Sequence, residues 1–326
     1  MKHLLKQKYK KLVEFKFILS ADYSEIVDNF SNNKSYILSD DFITQKSIEQ
    51  LKKFFLEYHQ IEFYLFTEFG YDYWNLENVN VLQYNNSLYN SLKELITIKE
   101  FCFNYKIKKT KDFSVFIGST CRERLDFFTA IGIIGKLKNA NYSLFDQNIT
   151  LYKSDSSKYE FLFGENFENY QANLKPRLYK STDKFWKYNH KENFPNIKNL
   201  ILESFFYIGL ENQPVTGKDN ISEKSLYGYI TGTPTFNVIG PHSRTMLKDL
   251  GFKSMPLFEI EKNYNKNTLD ETLFEYMKDI LFLCNLTPEQ WDQFYNINYE
   301  TLYHNYNNVD VAFNIINKNI HTVLDS

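Results

Sequence analysis

Short apolar runs alternate with stretches of helical periodicity along this chain, and no other feature limits its fold as strongly. The runs with the length of β-strands in the first part of the chain are 15–19, 35–38, 62–66 and 79–82. Apolar residues recur at helical spacing before the third run (Ile48, Leu51, Phe54 and Phe55) and after the fourth (Leu88, Leu92, Leu95 and Ile96). Strands that alternate with helices indicate βαβ units, so the sequence predicts an α/β fold with a parallel sheet.

A polar, lysine-rich connection at 106–112 separates this part from the rest of the chain. The alternation then resumes, with predicted strands at 113–118, 201–210 and 234–239 and predicted helices at 122–137, from 222 and at 242–250. Helical patterns fill the remainder. The 326 residues fit two domains of ordinary size. We therefore predict an N-terminal α/β domain at 1–110 and a C-terminal α/β domain with a helical tail at 111–326.

The composition excludes several classes of protein. Hydrophobic residues make up 43% of the chain and charged residues 24%, which provides enough apolar material for a core. The formal net charge of −2 lacks the strongly basic character of a general nucleic-acid binder. Three widely spaced cysteines indicate neither a disulfide framework nor a zinc site. Because no apolar run has the length of a membrane span and the first residues do not resemble a signal peptide, we expect a cytoplasmic location.

The segment 211–240 carries the pattern most typical of a binding site. A strand is predicted to end at 211–212, a polar loop follows, and a helix is predicted to begin at 222–224. A helix N-terminus beside the ends of parallel strands favours an anion. A lysine in that first turn, Lys224, is unfavourable for the helix by itself. The pattern therefore points to a bound anion such as a diphosphate.

A purely structural interpretation of the same residues stays open. Asn220 and Glu223 have the spacing of a capping box, in which each satisfies a backbone group at the start of the helix. Glu223 would then serve only the helix end, and Lys224 would face solvent. Spacing alone does not separate this interpretation from an anion site.

This segment resembles the donor-site region of the α-1,3-fucosyltransferase family. The shared features are a Glu-Asn pair, a Thr-Glu-Lys triplet that opens a helix, and a strand that ends in Gly; here they are Glu211-Asn212, Ser222-Glu223-Lys224 and Gly240. Ser222 takes the place of the family's Thr and keeps the hydroxyl. The stretch 247–252 has a Leu-x-x-Leu-Gly-Phe pattern, which makes the segment still more similar to a group of phage-encoded glycosyltransferase-like proteins.

A second match lies upstream. The stretch 113–124 resembles the family's strand, turn and arginine-bearing helix start, and the whole resemblance covers about 112–262. It implies that Arg124 (or Arg122) and Lys224 neutralise the diphosphate. Both arginines stand near a predicted helix start, where a bound anion offsets the unfavourable dipole.

The resemblance also gives roles to the other residues of the donor region. It implies that Glu223 binds the ribose hydroxyls and that Glu211 faces the donor sugar. The further residues that it places at the donor are Ser119, Thr120, Asn212 and Ser222.

The function that the resemblance implies is that of a nucleotide-sugar-dependent glycosyltransferase of the GT-B type, with two Rossmann-like domains facing a cleft. An acceptor hydroxyl attacks the anomeric carbon, and a nucleoside diphosphate leaves. An inverting reaction needs a general base. Our candidate is Glu68, because it follows a predicted strand of the first domain; the other carboxylates in such positions are Asp40, Asp41 and Asp72. The sequence contains no Asp-x-Asp pair, so we expect no metal, and no cofactor besides the nucleotide-sugar substrate.

Two other functions stay open at this point. The first is a glycosyltransferase that modifies phage DNA bases, which would make modified DNA rather than a glycan the acceptor. The second is a non-catalytic phage structural or host-interaction protein with the same fold. Binding to duplex DNA that weakens steeply with salt would favour the first, and transfer from a UDP- or GDP-sugar would exclude the second.

Overall fold

The computed structural model describes most of the predicted strands and helices. The residues it describes are 13–14, 34–38, 45–67, 76–83, 86–102, 108–117, 124, 127, 130–131, 136–144, 197–211, 221–255 and 269–325. By their internal contacts, the residues form two compact units. One unit is Met1–Tyr89 with Asn314–Ser326, and the other is Asn90–Phe313. The domain boundary between residues 110 and 111 stays a prediction.

The first unit contains a four-stranded parallel sheet. Its strands, in spatial order, are β1 (Val13–Glu14), β2 (Lys34–Leu38), β3 (Glu62–Thr67) and β4 (Val79–Gln83). Helix α1 (Gln45–Glu57) connects β2 to β3, and β4 is followed by helix α2 (Asn86–Ile98), which belongs to the second unit from Asn90 onwards. The predicted strands at 35–38, 62–66 and 79–82 and both predicted helices are confirmed. The predicted strand at 15–19 lies outside the described residues.

Aromatic packing joins α1 to this sheet. Phe54 and Phe55 of α1 are buried, and the ring of Phe55 lies 4.7 Å from that of Phe63 on β3, between centroids. Phe63 and Leu65 alternate along β3 with the less buried Tyr64, as expected for a strand with one face towards a helix. The period-2 and period-3.6 patterns in the sequence therefore correspond to real buried faces.

The second unit contains another four-stranded parallel sheet. Its strands are β5 (Lys111–Ile117), β6 (Ala140–Leu144), β7 (Ser204–Leu210) and β8 (Thr235–Val238), in the spatial order β6-β5-β7-β8. The helices are α3 (Tyr227–Thr231), α4 (Pro241–Asp249), α5 (Leu269–Cys284) and α6 (Pro288–Asp325), whose residues from Asn314 onwards belong to the first unit. The strand predicted from residue 201 begins only at Ser204, because residues 197–202 are helical. Of the helix predicted at 122–137, the described residues 124, 127, 130 and 131 are helical, and Lys136–Asn139 is a 3₁₀ turn.

One face of the second sheet forms the main core. Phe113 and Val115 of β5 pair in register with Phe206 and Ile208 of β7, and all four side chains are fully buried. Residues of α5 and α6 complete this core, and the ring of Trp291 stacks on Phe206 with 5.6 Å between centroids. The long run of apolar residues in β7 is typical of a parallel strand covered on both faces.

The chain is thus a mixed α/β protein with two parallel sheets and a long C-terminal helix. Among the residues that the structure describes, no helix combines the length and the hydropathy that a membrane span requires.

Lys109, just before β5, provides a test of the second unit's stability against pH. Its ammonium donates a hydrogen bond of 2.8 Å to the carbonyl of Leu202 and lies 5.4 Å from the centre of the Tyr295 ring. Burial lowers the pKa of Lys109 from its usual 10.5 to about 8. Between these two values the unfolded chain binds more protons than the folded chain, so this residue's contribution to stability increases as the pH rises.

We expect Lys109→Met to raise the free energy of unfolding by about 1–3 kcal/mol at neutral pH, because the variant no longer buries a charge. The advantage over the wild-type protein should shrink as the pH rises through the window from about 8 towards 10.5. Urea unfolding of both proteins at several pH values measures this difference. As a control, Lys278→Met removes an exposed lysine of α5 together with its ion pair to Glu275 and should change stability by less than about 1 kcal/mol, independently of pH between about 8 and 10. A difference that does not vary with pH would contradict the expectation.

Candidate functional site

The order of strands in the second sheet determines where a ligand can bind. From β5 the chain moves outwards to β6, and it then returns to β7 on the other side of β5. The connections that leave β5 and β7 therefore run in opposite directions. In parallel α/β sheets, such a switch point opens a crevice at the carboxyl ends of the two strands, and ligands bind there. We call the carboxyl ends of β5 and β7 the switch point.

Residues from both sides of the switch point meet in the structure. Arg124 is in the helical segment that follows β5, and Glu211 directly follows β7. Nη2 of Arg124 lies 3.8 Å from Oε2 of Glu211, and the two side chains are only 2% and 3% exposed. The sequence separates these residues widely, and the fold brings them together as a buried ion pair.

The carboxylate of Glu211 also holds the turn that contains Lys224. Its Oε1 accepts hydrogen bonds from the backbone N–H groups of Ser222 (2.8 Å) and Ser225 (3.2 Å). The same oxygen accepts from the hydroxyls of Ser222 (2.9 Å) and Ser225 (2.7 Å), and Oε2 lies 2.7 Å from the Ser222 hydroxyl. A carboxylate with this many donors forms strong, charge-assisted bonds. Glu211 therefore fixes the backbone between Ser222 and Ser225.

Lys224 and Glu223 form the more accessible part of the site. Their side chains form an ion pair, and they are 10% and 14% exposed. Both side chains are therefore less buried than those of Arg124 and Glu211. Whether Glu211 faces the donor sugar and Arg124 the diphosphate stays a prediction.

The turn packs closely against β7 because residue 209 is glycine. A Cβ at Gly209 would lie 2.1 Å from Oδ1 of Asn237 and 3.0 Å from the carbonyl oxygen of Lys224. A side chain here would displace the Asn237 side chain and push the Lys224 backbone by a few tenths of an ångström. The absence of a side chain at this position thus allows Lys224 and Ser225 to lie directly on the sheet.

The predicted helix start at Ser222 is wrong in one respect. Glu223–Ser225 forms a 3₁₀ turn, and the α-helix that follows, α3, begins at Tyr227 and has 5 residues. So short a helix has few aligned peptide dipoles. Its macrodipole is therefore too weak to favour an anion at this end. The side-chain charges are then the remaining feature of the turn that could attract an anion.

The cap of this turn is Ser222, whereas the capping-box interpretation used Asn220, which lies outside the described residues. Ser222 precedes the turn, and its hydroxyl oxygen accepts a bond of 3.3 Å from the backbone N–H of Lys224. The carboxylate that satisfies the backbone N–H of Ser222 comes from Glu211 and not from Glu223. The cap is therefore completed by a residue from the end of β7, which spacing within the turn could not indicate.

Two tyrosines at the site were not singled out by the sequence. Tyr207 lies on β7, on the same face as Gly209 and Glu211, since the alternate residues Phe206, Ile208 and Leu210 point into the core. Its ring lies edge-on to that of Tyr227 at 6.3 Å between centroids. Counting back from Glu211 in steps of two would have identified Tyr207.

Both tyrosines respond to the charges of the site. Burial raises the pKa of Tyr207 and of Tyr227 well above the usual value. The negative charges of Glu211 and Glu223 raise both pKa values further, and the positive charge of Arg124 lowers that of Tyr207. The two hydroxyls therefore stay protonated at neutral pH, close to a cluster of carboxylates.

The remaining predicted site residues lie outside the described residues. They are the candidate base Glu68, the alternatives Asp40, Asp41 and Asp72, and the donor residues Ser119, Thr120, Arg122 and Asn212. Asn220 and the start of the helix that contains Arg124 are also outside them. The part of the chain that the structure does describe contains no group of three His, Cys, Asp or Glu residues arranged to hold a metal ion.

Comparisons of the chain with protein-family models, with curated proteins and with solved structures find no match.

Proposed function

We propose that the protein is a glycosyltransferase, which moves a sugar from a nucleoside-diphosphate sugar to an acceptor hydroxyl with inversion and without a metal. The observation that carries this proposal is the meeting of Arg124, Glu211 and the Lys224 turn at the switch point. These are the residues to which the fucosyltransferase resemblance gives roles in donor binding. The switch point is also the place where doubly wound sheets bind nucleotides.

The charges at the switch point suit the chemistry of the reaction. The leaving nucleoside diphosphate carries negative charge, and a fixed cation beside it stabilises the transition state. Lys224 is the accessible cation of the turn, so we assign it to the diphosphate. In this proposal, Lys224 and Glu223 separate when the donor binds, and the Glu223 carboxylate accepts hydrogen bonds from ribose hydroxyls.

Arg124 acts on the donor through Glu211 in this proposal. Its guanidinium is buried against the Glu211 carboxylate, which in turn holds the backbone of Ser222 and Ser225. The positive charge of Arg124 offsets part of the negative charge that Glu211 and Glu223 place at the switch point. A diphosphate then meets a less repulsive surface.

The proposal includes the arrangement that the resemblance implies for the whole chain. Two Rossmann-like domains face a cleft, the N-terminal domain binds the acceptor, and Glu68 is the candidate general base. A glycan is the proposed acceptor, and a phage origin with a cytoplasmic location in the host cell belongs to the same proposal.

Thermal unfolding in the presence of nucleotides tests donor binding. The probes are UDP, GDP, ADP and CDP, together with UDP-glucose, UDP-galactose, UDP-N-acetylglucosamine, GDP-mannose and GDP-fucose. A ligand at about 100 times its dissociation constant stabilises the folded protein by about 2.7 kcal/mol. We therefore expect the ligands that share one base to raise the melting temperature, both the nucleoside diphosphate and its sugar nucleotide.

Turnover separates an enzyme from a binding protein. Release of nucleoside diphosphate from the sugar nucleotide that binds, measured with and without candidate glycan acceptors, should exceed the rate without protein. If no member of the panel raises the melting temperature, the proposal is overturned. If a sugar nucleotide binds and is not consumed with any acceptor, the enzymatic part of the proposal is overturned.

A further inference from the structure

Tyr207 carries a buried hydroxyl that no described residue satisfies. The residue is fully buried, and its hydroxyl oxygen has no hydrogen-bond partner within the described part of the chain. The ring is fixed, because it stacks on Phe116 at 6.1 Å and meets Tyr227 edge-on at 6.3 Å. A buried polar group without a partner lowers the stability of the fold, so its presence needs an explanation.

The same unit satisfies the hydroxyls of two other buried tyrosines. Tyr276 donates a hydrogen bond of 2.8 Å to the carbonyl of Ile239, and Tyr295 donates one of 2.7 Å to the carbonyl of Phe205. Neither hydroxyl is at the switch point. Tyr207 differs from both in lying beside the residues that the proposed function assigns to the donor.

The surroundings of the Tyr207 hydroxyl indicate what kind of group would bond to it. Glu211 and Glu223 are near enough to raise its pKa, in addition to the effect of burial, and Arg124 is near enough to lower it. A phosphate oxygen in this place would face two carboxylates. A sugar hydroxyl suits the place better, because it can accept a bond from the tyrosine and donate one to a carboxylate.

We infer that Tyr207 is a ligand-contacting residue, whose hydroxyl donates a hydrogen bond to a carbohydrate hydroxyl that also bonds to Glu223. This inference rests on the proposed function. Glu223 and Lys224 retain part of their exposure, so the ligand enters from their side in this proposal. The carbohydrate hydroxyl belongs either to the ribose of the nucleotide or to the transferred sugar.

Tyr207→Phe tests the inference, because it removes one oxygen and keeps the ring. The variant should melt at the same temperature as the wild-type protein or a few degrees higher, since an unsatisfied hydroxyl is lost. Its affinity for the ligand should fall about tenfold. The probes are the nucleoside diphosphate and the sugar nucleotide, from the panel above, that stabilise the wild-type protein most, and calorimetry measures both affinities.

The two probes distinguish the sources of the hydroxyl. A ribose contact weakens the binding of both probes, whereas a contact with the transferred sugar weakens only that of the sugar nucleotide. Tyr295→Phe is the matched control, since its hydroxyl is bonded within the core. It should lower the melting temperature and leave both affinities unchanged.

The other possible results contradict either the inference about Tyr207 or the proposed function. Unchanged affinity of Tyr207→Phe for both probes overturns the inference and leaves the proposed function in place. A lower melting temperature of Tyr207→Phe shows that the fold itself uses the hydroxyl, which also overturns the inference. If the wild-type protein binds no member of the panel, the proposed function fails, and the inference fails with it.

Discussion

Glu211→Ala is expected to lower the free energy of unfolding by about 3–5 kcal/mol. The substitution removes the carboxylate that lies 3.8 Å from the guanidinium of Arg124, where both side chains are almost completely enclosed. It also removes the acceptor for the backbone N–H groups of Ser222 and Ser225. Urea unfolding, followed by far-UV circular dichroism, measures the change as a lower midpoint with the same slope.

Glu275→Ala is the matched control for this loss. Glu275 forms an ion pair with Lys278 at 3.3 Å on α5, and the lysine side chain of that pair is 57% exposed. An exposed pair of this kind contributes about 0–1 kcal/mol. If Glu211→Ala destabilises the protein no more than Glu275→Ala, the carboxylate does not hold the switch point together.

A double substitution separates the ion pair from the hydrogen bonds. Arg124→Met in the Glu211→Ala background removes the buried charge that the single variant leaves behind. We expect part of the lost stability to return, because two buried groups in contact are coupled. If the stability change of the double variant equals the sum of the changes in Glu211→Ala and Arg124→Met alone, the two residues do not interact in the folded protein.

Lys224→Ala is expected to weaken binding of the nucleoside diphosphate by about 10–100-fold. A hydrogen bond to a charged group contributes about 1.5–3 kcal/mol, which corresponds to this range. The loss should be larger at low salt, because part of the attraction is electrostatic and is screened by ions. Calorimetric titration at two salt concentrations measures both effects, and the melting temperature without ligand shows whether the variant is folded.

Lys248→Ala is the control for the loss of a positive charge. Lys248 is an exposed residue of α4, and its removal changes the net charge by the same amount. The affinity of the Lys248→Ala variant for the nucleoside diphosphate should equal that of the wild-type protein. If Lys224→Ala binds the nucleotide as well as Lys248→Ala does, Lys224 does not contact the donor.

The sequence was a good guide to the elements of the fold. Apolar residues at a period of two or of about 3.6 predicted β2, β3 and β4 in the first sheet and β5 and β8 in the second, within a few residues. These patterns are local, because each strand or helix buries one face whatever its partner is. Helix α4 was predicted for the same reason, and it begins at Pro241 after Gly240.

The sequence was less informative about the donor region. It singled out Arg124, Glu211 and Lys224 by their resemblance to a family pattern, and the structure brings them to one place. It placed the helix start at Ser222, where the chain forms a 3₁₀ turn instead. Helical propensity cannot determine this detail, since the Glu211 carboxylate at the end of β7, outside the turn itself, holds the turn.

By itself, the sequence determined that the chain alternates strands with helices, because burial of one face is encoded in the spacing of neighbouring residues. Only the tertiary structure decided that β7 lies next to β5 and not next to β6. This pairing creates the switch point, buries Arg124 against Glu211 and places Tyr207 beside them. Contacts between residues so far apart along the chain depend on how the strands cross over, and no local pattern records that choice.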